Sequence, residues 1–134
     1  MKLNEDVLIR LYRTMVRVRY FEDKTKELYL QGQVRGTIHV SQGQEAVAAG
    51  GCLALRDDDY IVTTHRGHGH CIAKGVSSKA LLAEILGRAT GCCKGRAGSL
   101  HAFDASVGIL GAAAVVGAGL PIATGAALGV RMLG

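Results

Sequence analysis

The sequence predicts an α/β fold that is mostly helical over these residues, with few short strands. Three observations carry this. Residues 4–31 repeat apolar side chains at helical spacing, residues 60–64 form one β-branched run, YIVTT, and the later segments are helical patterns rich in Ala and Gly.

The first helix spans residues 4–31, within an N-terminal segment 1–32. Val7, Leu11, Met15 and Val18 recur on one face, and Leu8 and Tyr12 widen the stripe. Asn4 is placed to cap the start, Glu5 and Asp6 suit the positive end of the helix dipole, and Gly32 stops it. Arg13, Arg17, Glu22, Asp23, Lys24 and Glu27 are assigned to a solvated face. Residues 33–41 are irregular or extended. A second helix runs from Gln42 to Leu55, its small side chains allowing another backbone to approach closely. Arg56-Asp57-Asp58-Asp59 is a polar turn before the strand Tyr60–Thr64. HRGHGHCIAKG reads as a loop entering a short helix that ends near Gly75. Ser78 caps a further helix, Lys79–Gly87, with Leu81, Leu82, Ile85 and Leu86 as its apolar face. Residues 88–111 read as a long loop punctuated by glycine. The last element is a helix within 117–132 starting around Pro121, a residue tolerated in a first turn. The pattern reads as one domain with no internal repeat. The apolar helical pattern runs to Gly134 without a polar exit, which reads as a domain cut short.

Composition narrows the function classes. The chain is 49% hydrophobic and 20% charged with one Pro, which is a globular composition. Its net charge of +5 is dispersed: residues 1–31 hold seven basic and five acidic side chains. A nucleic-acid binder gathers its cations on one stripe with stacking aromatics. Neither is evident, and an anionic small molecule fits the mild basic excess at least as well. From Ala105 to Gly134 only Arg131 is charged, yet the run is Gly- and Ala-rich, so a buried, closely packed helix is expected and not a membrane span. Cys52, Cys71, Cys92 and Cys93 form no CxxC pair, and the N-terminus has no signal-peptide run. Reduced thiols in a bacterial cytoplasm or a mitochondrial matrix are expected.

Four segments carry possible chemistry. In THRGHGH (64–70), Arg66 offers a planar fork to phosphate or carboxylate oxygens, Gly67 and Gly69 allow close backbone approach, and His65, His68 and His70 add hydrogen-bond donors of a residue type suited to proton exchange. The same His65, His68 and His70 with Cys71, and Cys52 as a further candidate, form an alternative zinc set, although HxxHxHC matches no ordinary ligand framework. In GTIHVSQGQEA (36–46), His39 precedes a helix start whose free amides favour anions. TGCCKGRAGSLHAFD (90–104) sets Lys94, Arg96 and His101 among small residues, as an anion-facing, subunit-facing or simply solvated loop. GILGAAAVVGAGLPIATGAALG (108–129) reads either as a packed Ala/Gly helix or as backbone able to read a flat heterocycle around Ala114–Gly117.

In order along the chain, RYFE, IHVSQGQEAVAAG, DDYIVTTHRGHGHCIAKG, GRATGCCKGRAGSLHAFD and GILGAAAVVGAGLPIATGAALG resemble the alpha subunit of the decarboxylating component of 2-oxo acid dehydrogenase complexes, over about residues 5–133. The resemblance implies the N-terminal part of a thiamine-diphosphate-binding fold within an alpha2-beta2 assembly. It implies oxidative decarboxylation of a small 2-oxo acid, pyruvate or acetoin type, with acyl transfer to a lipoyl-bearing acyltransferase component. His65 and Arg66 match the residues that contact the diphosphate, and Ala114 and Val116 those whose backbone touches the aminopyrimidine. His39 and His68 match active-site histidines. Ala113 and Ala114 replace the family's Asn and Gly, and Ala97 replaces a Gly. A methyl group at a position needing φ > 0 costs roughly 1 kcal/mol or more. The family's GDG motif and later Asn ligate magnesium. Residues 1–134 contain neither, so the magnesium ligands are not in this sequence. The activating glutamate comes from the beta subunit, so these residues are expected to be inactive alone. Two other readings stay open: a non-catalytic subunit-interaction piece and the His/Cys metal module. The resemblance also expects Arg66 to share a cavity with His39 and the Ala114–Gly117 backbone.

Overall fold

The first helix, α1 (Glu5–Leu30), forms as its caps and stripe require. The Asn4 side chain accepts from the Asp6 amide at 3.0 Å, and Gly32 closes the far end at φ 71°. These observations come from a computed structural model that describes residues 4–134; residues 1–3 of the expected N-terminal segment lie outside the described residues. Only the second half of α1 is seated in the body. Val18, Phe21, Glu22, Thr25 and Leu28 are buried, whereas Val7, Leu8 and Tyr12 are exposed. The apolar stripe at the start of α1 therefore has no cover among the described residues. Glu22, expected on the solvated face, is fully buried.

The helix α2 (Glu45–Leu53) is shorter than the expected 42–55, because residues 42–44 form a turn. The strand β1 (Ile61–Thr64) leads through His65–Gly67 into α3 (His68–Lys74), which ends at Gly75 in the left-handed region. Ser77, not Ser78, caps α4 (Ser78–Ile85), without a side-chain hydrogen bond. Helices α1, α2 and α3 pack together through small side chains. At Gly69, a Cβ would sit 3.1 Å from Ala48 Cβ and from Ser41 Oγ, and 3.2 Å from Val18 Cγ1. The apolar core continues through Cys71, Ile72, Val76, Leu81, Ile85, Ala102 and Ile109.

The expected loop 88–111 gives way at its end to a 3-10 turn, Ala105–Val107, and to a second strand, β2 (Ile109–Ala113). Asp104 caps that turn by accepting from the Ser106 amide at 3.1 Å. β2 lies parallel to β1, with Ile61 opposite Ile109 and Thr64 opposite Ala113. ILGAA lacks the β-branched density of YIVTT, so its strand character comes from pairing with β1, not from propensity. The long connection between the two strands is what a parallel pair needs. The described residues thus form an α/β arrangement, mostly helical, with a two-stranded parallel sheet.

The final helix, α5 (Gly119–Leu133), carries Pro121 in its first turn as expected. It packs on one side against β1 and β2 but buries none of its residues. Leu120, Ile122, Leu128, Val130, Met132 and Leu133 are all exposed. The expectation of a buried helix is corrected: nothing among the described residues covers its outer face. No described helix is long and apolar enough to cross a membrane.

Candidate active site

β1 and β2 run in the same direction and end side by side, at Thr64 and Ala113. Crevices beyond the carboxyl ends of parallel strands are where α/β sheets hold ligands. His65 and Arg66 follow β1 directly. Ala114, Val115 and Val116 follow β2. The pairing therefore brings two segments about fifty positions apart in sequence to one end of the sheet, beside a cavity of about 330 Å3 lined by Thr64, Ala113, Val115, Gly117 and Leu120 among others.

His39 joins from the loop before α2. Its ring meets the His65 ring edge to face, with centroids 5.1 Å apart. Arg66 lies against the same loop and donates to the Val40 carbonyl oxygen. The expected common cavity is not found: Arg66 lines no described cavity with Ala114–Gly117. The reason is the contact just given, which turns the guanidinium toward residues 39–41. His65 Nδ1 is buried without a hydrogen-bond partner, as is His70 Nδ1. Burial holds the His70 imidazole below its ordinary pKa, against a backbone contribution at Arg66. Val115 and Val116 are exposed.

His68 is placed differently from the expectation for an active-site histidine. It is fully buried at the start of α3, with both ring nitrogens engaged. Nδ1 lies 2.9 Å from Glu22 Oε2, and Nε2 lies 2.9 Å from Ser99 Oγ and 3.1 Å from the Ser99 carbonyl oxygen. Glu22 Oε1 in turn accepts from the Ser41 amide at 2.9 Å and the Ser41 hydroxyl at 2.6 Å. Burial pushes the Glu22 carboxyl up, but His68 and Ser41 outweigh it and hold it below the ordinary carboxylate value. One carboxylate thereby ties α1 to the His39 loop and to α3, and His68 extends the tie to the 90–104 segment. Both His68 nitrogens are thus occupied within the protein, and the ring links the elements that carry His39, His65 and Arg66.

A second buried carboxylate organises the loop after α4. Glu84 Oε2 accepts from the amides of Cys93 and Gly95, both at 2.8 Å, and Oε1 from those of Ala97 at 2.7 Å and Gly98 at 3.2 Å. Burial raises the Glu84 pKa, and these four donors more than offset it, leaving the group below its ordinary value. The loop that the sequence offered as anion-facing is therefore built inward around an anion of its own. Neither glutamate was singled out from sequence, although a signal existed. Glu22 continues the stripe of Met15, Val18 and Thr25, and Glu84 sits between Leu81 and Ile85, so helical spacing turns both inward.

Glu45 and Arg19 join α2 to α1 at 2.7 Å. The Arg19 hydrogen bond pulls the Glu45 carboxyl down to about 2, against the opposing effect of burial. His65, His68, His70 and Cys71 do not converge. Among the described residues only Glu84, Cys92 and Cys93 bring three such donor atoms within 4.8 Å of one another, and the Glu84 oxygens are already occupied by amides. All four cysteines are free thiols. The methyl groups at Ala97 and Ala114 bring no left-handed strain, since Lys94 is the one described non-glycine residue with positive φ.

The described residues define an α/β unit in which two segments that follow parallel strands flank one crevice. Residues 13–134 match the dehydrogenase E1 component family, and the chain belongs to that family. It is 49% identical over 128 residues to the alpha subunit of acetoin:2,6-dichlorophenolindophenol oxidoreductase of Bacillus subtilis, covering 96% of this chain and 38% of that protein. It is 42% identical over 123 residues to pyruvate dehydrogenase E1 component subunit alpha-3, chloroplastic, of Oryza sativa, covering 92% of this chain and 29% of the relative. To the pyruvate dehydrogenase E1 alpha subunit of Rickettsia bellii it is 40% identical over 126 residues, covering 94% and 39%. The chain thus spans well under half the length of these relatives.

Proposed function

We propose that residues 1–134 form part of a thiamine-diphosphate-binding domain in an E1 alpha subunit, acting with a beta subunit on a small 2-oxo acid of the pyruvate or acetoin type. The acceptor of the acyl unit is a lipoyl group on an acyltransferase component. The observation that supports this best is the adjacency of the two strand ends, Thr64 and Ala113, from which the His65-Arg66 and Ala114–Val116 segments depart, in a family member. The buried, unpartnered His65 Nδ1 fits a site that expects a further polar group.

When bound, the coenzyme supplies the carbanion chemistry of decarboxylation. This chain's residues bind and orient. Arg66 and His65 would hold the diphosphate, Arg66 through its planar fork. The Ala114 carbonyl and the Val116 amide hold the aminopyrimidine. His39 holds the substrate carboxylate or moves a proton at its imidazole. His68 acts as a positioning residue through Glu22 and Ser99. Magnesium would be held by the family's GDG motif, which does not occur in residues 1–134, so none of these residues is assigned to it.

Arg66→Ala in the full alpha subunit, assembled with its beta subunit, tests the reading. Coenzyme affinity by titration calorimetry is expected to fall by about tenfold or more, with a much smaller change in substrate KM once the coenzyme is saturating. Unchanged coenzyme affinity would remove the assignment. The uncovered apolar face of α5 supports a subunit-facing role for that helix alongside the catalytic one. Sizing chromatography with the beta subunit, comparing Leu128→Asp with the parent chain, checks it, and equal complex formation by both would count against it.

A further inference from the structure

A cleft of about 610 Å3, which shares no lining residue with the cavity at the strand ends, lies between the turn after α1, the end of α4 and the 95–98 segment. Three arginines from three separate segments line it: Arg35, Arg88 and Arg96. None of them forms an ion pair with a described residue. The one carboxylate in the wall, Glu84, is fully buried and occupied by four backbone amides. The cleft is therefore lined by three exposed arginines from three segments against one carboxylate, Glu84, whose oxygens are turned to backbone amides. Its walls are kept bare between the arginines. Gly32, Gly87 and Gly98 all have positive φ, and a Cβ added at any of them would meet no atom within 4 Å.

We propose that this cleft binds a compact, multiply phosphorylated small molecule at a site separate from Arg66. Like charges held around one concavity repel one another and focus a positive potential that draws in anions. A ligand of about three negative charges neutralises the three guanidiniums, and a monocarboxylate does not. Arginine forks match phosphate oxygens with two parallel hydrogen bonds. The lining includes no aromatic side chain, so no platform exists for stacking a base, and recognition falls on the phosphates. The volume lies within the range of small-molecule sites.

Titration calorimetry of the full chain with inorganic tripolyphosphate, at about 0.15 M ionic strength, tests the proposal. The Arg88→Ala, Arg96→Ala double variant is expected to lose about tenfold or more in affinity. Arg88→Lys, Arg96→Lys keeps the charge without the fork and is expected to fall between the two. Arg66→Ala, which removes the diphosphate anchor proposed above, is expected to keep tripolyphosphate binding at the cleft arginines. Circular dichroism of each variant verifies its fold, and the lysine pair carries the comparison if the alanine pair is misfolded. Parent-like affinity in both arginine pairs overturns the proposal. So does complete loss of binding in Arg66→Ala, which places the anion at the coenzyme position alone. Sulfate binding equally well at matched ionic strength also overturns it, as an adventitious ion only.

Discussion

Glu22 shows how one side chain sets the geometry of several motifs. Its two oxygens take the Ser41 amide, the Ser41 hydroxyl and the His68 ring, all without access to water. A buried charge keeps its place only when its partners are complete, and removing one member leaves the others unpaired. Glu22→Ala is expected to cost about 3 kcal/mol or more, read from urea unfolding. Glu22→Gln is expected to cost less, since its carbonyl oxygen still accepts from Ser41. Equal loss in both would show that the carboxylate charge is what matters. Glu84 makes the parallel case with backbone donors only. Glu84→Ala orphans four amides, and hydrogen exchange across residues 93–98 is expected to accelerate ahead of the rest of the chain. Unaltered protection there would mean that the loop holds itself.

At the scale of elements, the 91–98 loop and α4 approach so closely that a side chain is excluded. A Cβ on Gly91 would lie 2.5 Å from Glu84 Cα, on backbone that has no room to move. Gly91→Ala is therefore expected to destabilise the chain by about 1–3 kcal/mol, measured as a lowered thermal midpoint. A midpoint equal to the parent's would mean that the loop shifts freely. α5 is the opposite case. Its inner side rests on β1 and β2 while Leu120, Leu128, Met132 and Leu133 face outward. With so little apolar area removed from water, α5 is expected to exchange its amides faster than the second half of α1. Protection of α5 equal to that of Val18–Leu28 in these residues alone would contradict this.

Across the whole molecule, three buried or nearly buried carboxylates, Glu22, Glu45 and Glu84, have pKa values below the ordinary 4.5, and Glu45 lies at about 2. Their unfolded counterparts take up protons first as the pH falls. The unfolded state therefore binds more protons in this range, and stability rises with pH. The stabilisation is complete above the unfolded value near 4.5 and is lost as pH falls from there toward about 2. Acid titration followed by circular dichroism is expected to show a transition in that window. Glu45→Gln is expected to flatten its lower part, and an unaltered acid limb in that variant would show that the Arg19 contact contributes nothing.

The local signals were legible because they are local. Asn4, Gly32, Gly75 and Pro121 punctuate helices where capping and turn chemistry place them, and YIVTT is a strand on its own composition. The motif order likewise marked the family and brought His39, His65, Arg66, Ala114 and Val116 forward as candidates. β2 was hidden, since ILGAA becomes a strand only when β1 lies beside it. The inward turn of Glu22 and Glu84 was half visible in helical spacing, but whether a carboxylate is tolerated inside depends on donors contributed by Ser41, His68 and residues 93–98, far away in sequence. The direction of Arg66, the enclosure of His68 and the bare outer face of α5 were settled by tertiary packing alone. Burial and hydrogen-bond satisfaction belong to neighbours in space, which periodicity along a chain does not name.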